Sequence, residues 1–182
     1  ITLKNKINEK LVKNYVLFCD ENFKINGLNK LSINNQSSSI IKSNNSSFTK
    51  NKDFLLFNLN PVQKIILIKI KKNQSSLDSE KIGAKFFNFI KSNSIFNLYL
   101  FDNNIKNITP KNEYFLDDFI HGAQLKSYNF EKYKSDKKKD LFEINILNKN
   151  KLTYFNKDRK FLSLIEGTNL TKDLVSEPGN IL

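Results

Sequence analysis

The chain has 182 residues and a formal charge of +12, with 16 Phe, one Cys, one His and neither Met nor Trp. A single cysteine excludes an internal disulfide and a cysteine-rich metal cluster, and a single histidine excludes a His-based zinc site. The longest apolar run is five residues, too short to span a membrane, and the N-terminus has no secretory signal, so the default compartment is the cytoplasm.

The length suits one domain, and 39% hydrophobic residues are enough to build its core. The positive charge is written almost wholly in lysine, with Arg159 the one arginine. Lysine is the weaker residue for bidentate phosphate and base contacts, and the abundance of Lys, Asn and Ile fits compositional drift. Without a starting methionine, the chain reads as a piece of a longer protein.

In chain order, residues 14–19 form a short buried strand, and 34–53 form a polar loop rich in Asn, Ser and Lys. Residues 54–59 and 64–70 are two strands joined by Asn60-Pro61-Val62-Gln63. The second carries Ile65-Ile66-Leu67-Ile68, as expected of a central strand covered on both faces. Ile82, Phe86, Phe89 and Ile90 lie on one face of a helix spanning 77–91, capped by Ser76 or Asp78. A strand at 95–101 follows.

Thr109-Pro110 predicts a helix start, with Phe115, Leu116, Phe119, Ile120 and Ala123 as the buried stripe. Residues 141–147 alternate as a strand, 152–155 can pair with it, and a last helix runs from about 156 to 176, stopped by Pro178-Gly179. The order predicts an α/β layered domain, a mixed β-sheet flanked by helices.

No constellation for covalent chemistry emerges. His121 has no nucleophile beside it and reads as a packed residue, and Cys19 reads as a structural thiol. Asp117 and Asp118 diverge by about 100° on a helix and read as an exposed pair favoured by the helix dipole. Lys132, Lys134, Lys137, Lys138 and Lys139 form the densest basic run, with Tyr128, Phe130 and Tyr133 beside it. They are candidate contacts for a nucleic-acid backbone, against the plainer reading of a solvated loop.

Two stretches near the C-terminus are more specific. Gly122, Leu125, Tyr128, Phe130, Tyr133 and Lys134 match the pattern Gly-x-x-Leu-x-x-Tyr-x-Phe-x-x-Tyr-Lys. Glu166, Gly167, Asp173, Leu174, Glu177, Pro178 and Asn180 match Glu-Gly-x-x-x-Ala-Arg-Asp-Leu-x-Asn-Glu-Pro-x-Asn, with Thr171, Lys172 and Ser176 as departures. In this order and spacing the two blocks resemble the N-terminal domain of the leucine aminopeptidase (cytosol aminopeptidase) family.

The resemblance implies a macro-domain-like domain over 1–155 and a long connector helix over 156–182, leading to a catalytic domain absent from this chain. It also implies a parent metallopeptidase that removes N-terminal residues from peptides with two divalent metals, Mn or Zn, and assembles as a homo-hexamer. The metal ligands of the family lie beyond Leu182, so no catalytic or metal residue is carried onto this chain. The 182 residues alone are expected to be inactive and monomeric or weakly associated, exposing part of the connector's apolar face (Phe161, Ile165, Leu174). The domain would support assembly and shield the active-site entrance. The alternative is a stand-alone basic macro-like module that binds a nucleotide or, non-specifically, DNA.

Overall fold

The computed structural model describes residues 2–4, 14–22, 24–25, 52–101, 105–133, 142–147 and 159–179. Six strands form one sheet: β1 (Thr2–Lys4), β2 (Asn14–Cys19), β3 (Phe54–Asn60), β4 (Gln63–Lys69), β5 (Asn97–Phe101) and β6 (Glu143–Leu147). Their spatial order is β1-β6-β5-β2-β4-β3, parallel throughout except for the antiparallel β3–β4 hairpin. Four helices lie among the described residues: α1 (Ser76–Ser92), α2 (Ile105–Ile108), α3 (Phe115–Lys126) and α4 (Arg159–Ser176). This is the α/β mixed sheet expected, with β1 as a strand that the sequence pattern did not indicate.

The period of two along each strand sorts side chains between two faces. In β4, Ile66 and Ile68 join one apolar cluster and Ile65 and Leu67 the other, all four fully buried. β2 divides the same way, Val16 and Phe18 against Tyr15, Leu17 and Cys19. Strand β4 is therefore covered on both faces, though it is next to the edge strand β3 rather than at the centre.

The first face receives α1 and α3. Phe18 meets Phe115 and Phe119 edge-on at 5.4 and 5.5 Å between ring centroids, and Phe86 meets Phe119 at 5.1 Å. Such pairs add about 0.5–1.5 kcal/mol each beyond the area they bury. The two helices cross closely because glycine occupies both sides of the crossing. A Cβ on Gly83 would stand 1.9 Å from the Phe119 carbonyl oxygen, and one on Gly122 would stand 2.0 Å from that of Glu80.

Helix α1 starts one residue earlier than its apolar pattern indicates, with Ser75 as the cap: its Oγ accepts from the Asp78 N–H at 3.1 Å. It ends at Ser92 with Asn93 as its C-cap, after which Ser94 takes a left-handed φ of 53° and turns the chain toward β5. Thr109-Pro110 does not open α3. The Thr109 N–H closes α2 by donating to the Ile105 carbonyl at 2.8 Å, and Thr109 is buried. A turn organised by Asn112 follows: its Oδ1 accepts from the Tyr114 N–H, and its Nδ2 donates to the Gln74 carbonyl and Ser79 Oγ. Only then does the helix begin, at Phe115.

The delay changes the fate of Asp117 and Asp118. Both lie in the first turn of α3, where the helix dipole favours them, but each is only 4% exposed. The expected solvent-exposed pair is a buried one, and Asp118 Oδ2 accepts from Ser76 Oγ of α1. The strand expected from 95 begins at Asn97, and the one expected from 141 begins at Glu143. Residues 34–51 of the polar loop and 152–155 lie outside the described residues.

Candidate functional site

The two C-terminal sequence blocks meet in space. The first runs off the end of α3, and the second lies on α4 and just past it, so their contacts define how α4 is held to the domain.

Four polar ties cross this seam. Tyr128 donates its hydroxyl to Asp173 Oδ1 at 2.7 Å. The Lys132 ammonium and the Tyr133 hydroxyl both donate to the Glu177 carboxylate, one to each oxygen. Lys172 Nζ donates to the Leu125 carbonyl at 3.0 Å and lies 5.0 Å above the Tyr128 ring. Nearer the start of α4, Phe161 packs against the His121 ring at a tilt of 47°, with centroids 4.7 Å apart. His121 is itself tied to α1, its Nδ1 standing 2.8 Å from Glu80 Oε1. His121 thus contacts α1, its own helix and α4 together.

Ionisation follows these contacts. Hydrogen bonds from Lys132 and Tyr133 hold the Glu177 carboxyl below its ordinary value. The same bonds raise Lys132 and Tyr133, while loss of water, then the bond to Asp173, raises Tyr128. A depressed carboxylate stabilises the docked state above its unfolded value, and that share is lost as pH falls through the folded value. Raised Lys and Tyr groups act at the other end, their share lost only as pH climbs beyond their ordinary range.

Gly122 serves the α1–α3 crossing. Leu125 is half-buried and contributes its carbonyl, and Phe130 packs its ring on Tyr133 at 5.8 Å. Glu166 is exposed, and a Cβ on Gly167 would meet nothing within 4 Å. Leu174 is 50% exposed and Pro178 is exposed. Phe161 and Ile165, expected on the open face of α4, are half-buried against the domain. Leu174 is exposed as expected, and Leu162, Leu164, Leu170 and Val175 are exposed with it. Lys134, Lys137, Lys138, Lys139 and Asn180 lie outside the described residues.

Sequence spacing could not reveal the partners Glu80, Gly83 and Lys172. Gly83 carried a signal all the same, as a glycine inside a strong helical pattern. Burial pushes the Cys19 thiol up to about 12, so it stays protonated and unreactive at neutral pH. Among the described residues no group of three His, Cys, Asp or Glu side chains could hold a metal ion, and no helix is long and apolar enough to cross a membrane. The seam binds one part of the chain to another; among its described residues no nucleophile is paired with a base.

No family model matches the chain. A curated protein named "Probable cytosol aminopeptidase", from Phytoplasma mali (strain AT), is 42% identical over an alignment of 71 residues that covers 36% of this chain and 14% of that protein. A mutant tomato leucine aminopeptidase superposes with a TM-score of 0.65 at 16% identity, covering all of this chain and 39% of that one. The bottromycin maturation enzyme BotP gives 0.58 at 11% identity over 92% of this chain, and 33% of that enzyme is covered. The chain thus spans well under half the length of each. The chain therefore shares its fold with a leucine aminopeptidase and, over part of its length, is similar in sequence to a cytosol aminopeptidase.

Proposed function

We propose that this chain is the non-catalytic N-terminal domain of a metal-dependent aminopeptidase, with α4 as the connector to the catalytic domain. The observation that carries the reading is the seam itself: the two blocks resembling the family clasp α4 onto the domain through Tyr128–Asp173 and Lys132/Tyr133–Glu177. The sequence match to a cytosol aminopeptidase and the fold shared with a leucine aminopeptidase support it.

On this reading the macro-like domain spans 1–155 and the connector 156–182. The parent removes N-terminal residues from peptides in the cytoplasm, assembles as a hexamer, and this domain supports assembly and shields the active-site entrance. One solved relative is a complex of BotP with Mn, which supports a metal-dependent parent. Two divalent metals, Mn or Zn, would polarise the scissile carbonyl and supply a bound hydroxide there. The described residues offer no donor set for them, so no step of hydrolysis is assigned to this chain.

The alternative of a stand-alone nucleic-acid module loses support at Lys132. That lysine, one of the candidate contacts for a nucleic-acid backbone, is engaged with Glu177. The test is hydrolysis of a leucyl peptide, with manganese or zinc supplied, by the full-length gene product and by residues 1–182 alone. Activity confined to the full-length product is expected. Hydrolysis by the 182-residue chain would overturn the non-catalytic role.

A further inference from the structure

A surface helix ordinarily turns its apolar stripe inward and its charges to water. Helix α4 turns charged groups inward as well: Lys172 donates to the Leu125 carbonyl, and Asp173 accepts from the Tyr128 hydroxyl. What it leaves in water is uncharged over a wide arc. At about 100° per residue, Leu170 and Leu174 lie on one side of Gly167 and Leu164 and Val175 on the other, an arc of about 140°. Between residues 163 and 175 no charged residue falls within it. All four apolar side chains are exposed, Val175 to 79% and Leu170 to 60%.

Gly167 adds an independent observation. Glycine inside a helix costs about 1 kcal/mol relative to alanine. Gly83 of α1 and Gly122 of α3 offset that cost by letting two helices cross where a Cβ would collide with backbone. At Gly167 a Cβ would meet nothing within 4 Å, so the domain gives no reason for a glycine there. The role that glycine has elsewhere in this fold, admitting a helix backbone to close range, is open at Gly167 toward the outside.

The size of the patch selects its occupant. Residues 163–175 span about 20 Å, so an arc about 10 Å wide offers about 200 Å². A free partner, a second copy included, needs about 800 Å² on each side for a stable complex. So small a patch is occupied only where a tether raises the partner's local concentration. On the aminopeptidase reading that tether is the polypeptide itself, since the relatives continue well beyond the length this chain covers.

We infer that Gly167 and its four apolar neighbours receive a helix from the segment that follows residue 182. That helix packs across α4 at backbone range, as α1 and α3 pack at Gly83 and Gly122. Leu170 and Leu174 then flank it on one side, and Leu164 and Val175 on the other. The inference rests on the aminopeptidase reading for the existence of the downstream segment.

The test places a photo-crosslinking residue at Ser163, exposed on the same arc, in the full-length gene product and identifies the attached peptide by mass spectrometry. Attachment to residues beyond 182 is expected. Attachment to residues 1–182 of a second copy, or no attachment, would overturn the inference. Amide exchange across 163–175 gives a second readout. It should be slower in the full-length product than in residues 1–182 alone, and Gly167→Leu should abolish that protection. In residues 1–182 alone, where nothing meets that position, Gly167→Leu should speed no exchange. Equal exchange in the two wild-type proteins would overturn the inference. Leucyl-peptide hydrolysis by the same full-length preparation reports on the aminopeptidase reading separately. Hydrolysis without attachment beyond 182 rejects the docking alone, and attachment without hydrolysis rejects the peptidase reading alone.

Discussion

Helix α3 meets the sheet and α1 through interlocked phenylalanines and a crossing at Gly83 and Gly122. Helix α4 meets the same domain through one ring contact, four polar ties and a half-buried apolar strip, and turns Leu170, Leu174 and Val175 outward. The first arrangement depends on excluded volume and apolar burial, which tolerate no gap and no extra atom. The second depends on charged and hydroxyl groups near water, individually weak but directional. The contrast teaches that α3 belongs to the core while α4 is an attached element, held by a few polar ties and a narrow apolar strip and leaving other apolar side chains exposed.

The contrast breaks most severely at Phe119. It is fully buried among Phe18, Phe86 and Phe115, so Phe119→Ala should cost about 3–5 kcal/mol, read as a lower urea midpoint. Next comes the glycine pair of opposite sign. Gly122→Ala drives a methyl into the Glu80 backbone and should destabilise by about 1–3 kcal/mol. Gly167→Ala, on α4, meets nothing and should favour the helix by about 1 kcal/mol, visible as increased helicity. Ser75→Ala removes the α1 cap and should cost about 1 kcal/mol in the same denaturation assay.

The smallest global effect is expected from the seam. Glu177→Gln should leave the core transition in place while amide exchange across 159–176 speeds up. Equal acceleration in α1 and α3 would show that α4 is part of the core after all. Acid sharpens the same comparison. The Glu177 carboxyl is held low, so its share of α4 docking is complete above the ordinary carboxylate range and disappears as pH falls below it. Exchange in 159–176 should therefore rise at acid pH before exchange in the sheet does, and the Gln variant should lose most of that pH dependence.

The sheet and its two main helices were legible because their signals are local. Four consecutive apolar residues at Ile65–Ile68, and the spacing of Ile82, Phe86 and Ile90, need no distant partner to be read. The start of α3 was misread because Thr109-Pro110 has the chemistry of a cap, whereas tertiary contacts of Asn112 with Gln74 and Ser79 hold the chain in a turn until Phe115. The burial of Asp118 likewise involves a distant partner, Ser76 of α1, 42 residues away in sequence. The short β1 gave no periodic signal in three residues. At the seam, the motif positions were visible but their pairing was not, because Tyr128 and Asp173 are separated by 45 residues and spacing carries no information about that contact.

The central claim is that α4 joins this domain to a catalytic one, and the most direct measurement is the intact mass of the native protein in its source cells, detected with an antibody to this domain. The account predicts a mass well above 21.2 kDa, with manganese- or zinc-dependent leucyl-peptide hydrolysis in the same fraction. A mass close to 21.2 kDa, with no such activity co-purifying, would contradict it.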